Sequence, residues 1–80
     1  VRATVLVRLK PEVLDPQGEA VRRALATMGF DEVTDVRIGK LIELELEGES
    51  SEALDARLRR AADELLANPV IEDYEVRLEG

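Results

Sequence analysis

Few of the eighty residues are of types that do chemistry. There is no histidine and no cysteine, which rules out disulfides, Cys/His zinc sites, a thiol nucleophile and an imidazole base. Ser50 and Ser51 therefore have no imidazole to activate them, and they suit the start of a helix, where a hydroxyl caps orphan amides. Glu43, Glu45 and Glu47 alternate along one strand face. Two such carboxylates can bind a hard cation or work as acid and base, but a solvated face that discourages edge-to-edge pairing is the simpler reading. The five glycines, Gly18, Gly29, Gly39, Gly48 and Gly80, are isolated, so neither the dinucleotide fingerprint nor the phosphate-binding loop occurs.

Among the cations, Arg37 and Lys40 flank Gly39, where a glycine lets backbone come close to a partner or ligand. They suit a phosphate or a partner's carboxylate, and equally well ordinary charges at a strand end; the residues alone leave both open. Arg22-Arg23 and Arg59-Arg60 fall beside Glu19 and Asp63 on outer helix faces, where intrahelical pairing accounts for them.

These side chains need elements to position them. Ala3, Val5, Val7 and Leu9 alternate with Arg2, Thr4, Leu6, Arg8 and Lys10, which predicts a strand with one buried face, ended by Pro11. Asp15-Pro16 predicts a helix start, with a carboxylate at the N-cap and proline at the first helical position. Val21, Ala24, Leu25 and Met28 share one helix face; Gly29 suits the left-handed residue that ends the helix, and Phe30 its accompanying apolar contact. From Glu32 to Glu47 the chain reads as extended. Sixteen residues is long for one strand, so we expect two strands meeting near Gly39-Lys40, or one strand bent there by a bulge. Leu54, Leu58, Ala61, Ala62, Leu65 and Leu66 predict a second amphipathic helix, with Asn68 as its C-cap and Pro69 forbidding continuation. Tyr74, Val76 and Leu78 alternate in a last strand.

The predicted order is β-α-β-β-α-β. Val21-Arg22-Arg23-Ala24 is echoed by Leu58-Arg59-Arg60-Ala61, and Asp35-Val36-Arg37-Ile38 by Glu75-Val76-Arg77-Leu78, giving pseudo-repeat halves of about 1–39 and 40–80. We expect one domain over residues 1–80, an α+β fold with a mainly antiparallel four-stranded sheet and both helices on one face, ferredoxin-like. The alternative is that the long middle strand holds the two units apart as partly independent lobes.

Eleven basic and eighteen acidic residues leave a net charge of −7. That argues against nucleic acid and against an anionic membrane surface. RNA recognition on this fold would also need aromatics on the central strands, and the only aromatics are Phe30 and Tyr74. No apolar run is long enough for a membrane span, so a cytoplasmic protein is expected. Scarce Asn, Gln and Met with arginine dominating the cations are compatible with a thermophile. A core built almost wholly from aliphatics in so short a chain gains from oligomerisation.

Three segments together carry a resemblance: Leu9-Lys10-Pro11-Glu12-Val13-Leu14-Asp15-Pro16-Gln17-Gly18, Val36-Arg37-Ile38-Gly39-Lys40, and Leu65-Leu66-Ala67-Asn68-Pro69-Val70-Ile71-Glu72-Asp73-Tyr74. In this order the chain resembles the small, PurS-type subunit family of phosphoribosylformylglycinamidine synthase, in purine biosynthesis. The resemblance implies a dimeric subunit with no active site and no cofactor of its own. It would bridge a large subunit, which binds ATP, magnesium and formylglycinamide ribonucleotide, and a glutaminase that releases ammonia, and would assist ammonia transfer. Lys10, Gln17, Arg37, Lys40 and Tyr74 match the family motifs and are the expected partner-interface residues, Arg37 and Lys40 foremost. The rival readings are a free-standing dimer that senses a small molecule and a structural dimerisation module.

Overall fold

Alternation in the first ten residues becomes strand β1 (Arg2–Leu9), whose Ala3, Val5 and Val7 are wholly or almost wholly buried. The computed structural model describes residues 1–79; Gly80, the last residue of the expected domain, lies outside them. Helix α1 (Pro16–Thr27) starts as its residue types dictate: the Asp15 carboxylate accepts from the Gly18 amide at 2.8 Å, with Pro16 at the first helical position. It ends at Gly29, whose φ of 94° admits glycine readily. The Gly29 amide bonds to Ala26 O at 3.0 Å and the Phe30 amide to Leu25 O at 2.9 Å, which satisfies two of the carbonyls a helix end leaves orphaned.

Strand β2 (Gly39–Glu45) runs antiparallel to β1, from Arg8↔Gly39 to Arg2↔Glu45. Helix α2 (Glu52–Ala61) is capped by Ser51, whose hydroxyl accepts from the Leu54 amide at 3.0 Å. One turn of π-helix, Ala62–Leu66, follows and leads to strand β3 (Glu72–Glu79), antiparallel to β1 on its other side. The sheet order is β2-β1-β3, so the β2-α2-β3 crossover carries α2 over β1. Leu58, Ala62, Ala67 and Val76 close the core on Ala3, Val5 and Val7, and Ile42, Leu44, Leu54, Leu66, Tyr74 and Leu78 pack around it.

Two expectations are corrected. The sheet has three strands rather than four, and the order is β-α-β-α-β. Residues 32–38 form no strand because β1 pairs with β2 only as far as Arg8↔Gly39 and then turns away near Pro11. The segment before Gly39 overshoots the end of its neighbour, and among the described residues no strand lies beside it to complete a ladder. The two helices also do not share a sheet face. Helix α2 covers the sheet, whereas α1 makes no extensive contact with any strand, and Val21, Ala24 and Met28 on its apolar face are exposed. It lies against the 32–38 arm instead, with Gly18 buried against the Val36 backbone. The molecule is correspondingly long, 48 × 25 × 15 Å with a radius of gyration of 16.0 Å, against about 12 Å for a compact chain of this length.

The π turn changes what the second helix buries. Ala67 N bonds to Ala62 O, five residues back, at 2.8 Å. The extra residue in the turn rotates the apolar stripe, so Ala62 stays buried while Leu65 is 80 % exposed. Asn68 makes an Asx turn rather than a C-cap: its side-chain oxygen accepts from the Val70 amide at 3.1 Å.

Candidate partner interface

The expected contact residues lie around the junction where β1 ends and the arm enters β2. Lys10 follows the last residue of β1; its amide donates to Ile71 O at 2.9 Å, and its carbonyl accepts from the Val13 amide at 2.9 Å. Arg37 reaches back across this turn, and one guanidinium nitrogen, Nη2, donates to Lys10 O at 2.8 Å and to Val13 O at 2.7 Å. Asp15 makes the complementary contact. One carboxylate oxygen caps α1 through Gly18, and the other accepts from the Ile38 amide at 2.7 Å. The β1–α1 turn and the arm thus hold each other from both sides. The Ile38 and Gly18 amides, with Arg37 nearby, hold the Asp15 carboxyl below the usual carboxylate range, because both bonds favour the charged form.

Lys40 stands opposite Val7, which stands opposite Tyr74 on its other side, so the three share one row on the face covered by α2. Lys40 Nζ lies 3.5 Å from Leu66 O. Tyr74 is half-buried and donates its hydroxyl to Arg59 O at 3.3 Å, which ties β3 to α2. Gln17 is exposed on the first turn of α1. The structure therefore brings Lys10, Arg37 and Lys40 to one end of the sheet, sets Tyr74 in the same row as an internal anchor, and leaves Gln17 on the adjoining helix.

A cleft of about 350 Å³ opens at this end between Leu6, Arg8, Arg37, Ile38, Gly39 and Leu41. Gly39 is required here, because a Cβ on it would lie 2.5 Å from Val7 O. Arg8 belongs to the cleft and was not among the expected contacts; its signal in sequence was only that of a polar residue on a strand face. The bridging role of Asp15 and the close approach at Gly18 were missed as well. Asp15-Pro16 announces a helix cap, but nothing local announces a partner 23 residues away.

The other candidate chemistry resolves into surface pairing. Arg2 on β1 meets Glu45 at 2.7 Å and Glu43 at 3.9 Å across the β1–β2 ladder, so two of the three aligned carboxylates face a cation. Arg22 and Arg23 pair with Glu19, Arg59 with Asp55 and Arg60 with Glu64; the last two partners are not the Asp63 that the sequence suggested. Among the described residues no group of three or more carboxylates is placed to hold a metal, no buried side-chain polar atom lacks a partner, and no helix is long and apolar enough to cross a membrane.

Comparison with known proteins places this geometry in a family. The model of the PurS family, phosphoribosylformylglycinamidine (FGAM) synthase, matches residues 2–80. The phosphoribosylformylglycinamidine synthase subunit PurS of Bacillus subtilis is 50 % identical over 78 residues, which are 98 % of this chain and 92 % of that protein. A B. subtilis PurS crystal structure superposes with a TM-score of 0.87 at 48 % identity, over 99 % of this chain and 98 % of that one. A chain of PurLQS from Thermotoga maritima superposes with a TM-score of 0.82 at 39 % identity, over 95 % and 93 %. The fold is thus shared over nearly its whole length with solved relatives, and the chain belongs to the PurS family.

Proposed function

We propose that this chain is the bridging subunit of phosphoribosylformylglycinamidine synthase, a glutamine-dependent ligase complex of purine biosynthesis. It holds the glutaminase and the ATP-dependent synthetase subunit together so that ammonia passes from one to the other. The observation that carries the reading is the near full-length likeness to PurS subunits, including one in PurLQS. The chemistry of the chain agrees with a role without catalysis of its own: it has no histidine or cysteine, and its serines include a helix cap. ATP and magnesium then belong to the synthetase subunit. Lys10, Arg37 and Lys40, gathered at one end of the sheet, are the residues we assign to contacts with the partner subunits, with Gln17 beside them.

Self-association is part of the same proposal. Leu14, Met28, Leu41, Leu65 and Val70 are each 60 % or more exposed, and among the described residues no strand or helix makes extensive contact with α1. A protomer this extended leaves more apolar surface in water than a short chain tolerates, and a second copy on the α1 face relieves it. Sedimentation tests both points. The chain alone should run as a dimer or larger, and the synthetase and glutaminase subunits should co-sediment only when it is present. A monomeric chain, or a complex that forms equally well without it, would overturn the corresponding half of the proposal.

A further inference from the structure

Resting on that subunit role, we infer that the cleft at the Arg8–Gly39 end of the sheet is a docking site for a carboxylate-bearing segment of a partner subunit. Six of the eleven cations, Arg2, Arg22, Arg23, Arg59, Arg60 and Arg77, pair with carboxylates of the chain itself. The other five make no ion pair among the described residues, and four of them, Arg8, Lys10, Arg37 and Lys40, stand at this one end. In a chain carrying seven more acids than bases, four cations without an ion pair at one end are unlike the rest of the surface, where most arginines are paired. Asp73 stands across from Arg8 in the β1–β3 register and forms no ion pair with it.

The manner in which Arg37 is held strengthens the inference. Its two acceptors, Lys10 O and Val13 O, are neutral carbonyls, and both bind the same nitrogen. They immobilise the guanidinium without an ion pair, Asp15 acting on it only from a distance, and leave its other N–H groups free. An incoming carboxylate meets a donor whose ordering cost has already been met in folding. Lys40, at the same end but on the face covered by α2, likewise meets a carbonyl, Leu66 O, and no carboxylate among the described residues.

The cleft also has an apolar side. Leu41 is 60 % exposed and Ile38 37 %, and both line it beside Leu6. A strand or loop with an apolar residue next to acidic ones fits, its side chain resting on Leu41 and its carboxylates on Arg8 and Arg37. A second copy of this chain is assigned to the exposed apolar face of α1, which has no cation of this cluster on it, so the charged cleft is left to another subunit.

The test uses the full chain and its two reconstituted partner subunits. Arg8→Gln is the informative variant, since among the described residues Arg8 makes no side-chain hydrogen bond or ion pair, and Arg57→Gln is the control, a cation on α2 outside the cleft and likewise without an ion pair among them. Association is measured at low and at physiological salt. Arg8→Gln should weaken binding about tenfold at low salt, the loss of one charge-assisted contact, and flatten the salt dependence. Arg57→Gln should stay within about twofold of wild type, as expected of an exposed charge outside any contact. If Arg8→Gln binds as Arg57→Gln does, the inference is wrong. It is also wrong if Arg8→Gln disturbs only self-association, which would make a second copy the occupant. If the wild-type chain associates with neither subunit, the subunit reading fails and takes this inference with it.

Discussion

Replacing Gly18 with alanine tests the junction that sets the arm against α1. A Cβ at this position would lie 2.0 Å from Val36 O and 2.9 Å from the Val36 carbonyl carbon. Both are backbone atoms, so no rotamer change relieves the clash, and the arm must retreat by more than 1 Å to restore ordinary contact. The Ile38 amide lies two residues further on, at 2.7 Å from Asp15. A retreat of that size takes it to about 3.7 Å, beyond hydrogen-bonding range. Overpacking of this kind costs about 1–3 kcal/mol, and the better helix propensity of alanine offsets at most about 1 kcal/mol. A 2.0 Å approach to backbone belongs in the upper part of that range, so a net loss of about 1–2 kcal/mol remains, which corresponds to a melting temperature lower by roughly 5–15 °C in a chain of this length. Thermal unfolding of Gly18→Ala at the wild-type chain concentration measures this, because the self-association proposed above would make the midpoint depend on concentration. Hydrogen exchange at Ile38 reads the local consequence and should become faster. A melting temperature equal to or above that of wild type, with Ile38 still protected, would refute the proposed junction.

Two more predictions follow from the same packing. The folded Asp15 carboxyl titrates below its ordinary value of 3.8, so its contribution to stability is fully present above that value and is lost as pH falls through the lower, folded one. Melts of wild type and Asp15→Asn should therefore differ at pH 6 and converge in strong acid; a constant difference across the range would show that the charge is not what Ile38 and Gly18 bind. Val5 is fully buried between β2 and β3, and Val5→Ala should cost about 2 kcal/mol from lost burial and the cavity left behind, read as a lower denaturant midpoint with an unchanged slope.

Where local chemistry decides the structure, the sequence was a sufficient guide. Alternation placed β1 and β3, the Asp15-Pro16 pair placed the start of α1, and Gly29 placed its end, because each depends on residues a few positions apart. The arm was misread as a strand for a different reason. Val33, Val36 and Ile38 do report a preference for extended, half-buried backbone, but a strand also needs a neighbour, and β1 turns away before it can provide one. The expected sheet face for α1 failed in the same way, since an apolar stripe says that something covers it and not that the cover belongs to the same chain. The π turn at Ala62–Leu66 adds one residue between carbonyl and amide, a shift with no signature in composition. At the candidate interface, the residue types of Arg37 and Lys40 suggested polar contacts, while the nearest acceptors of Arg37 are backbone carbonyls of its own chain, 24 and 27 residues away. Pairings at that range are set by the fold.

The central claim is that this chain couples a glutaminase to a synthetase. It is tested most directly by comparing product formation driven by glutamine with that driven by free ammonia, using the synthetase and glutaminase subunits with and without this chain. We predict that the glutamine-driven reaction requires the chain and the ammonia-driven reaction does not. Equal glutamine-driven rates in its presence and absence would contradict the account.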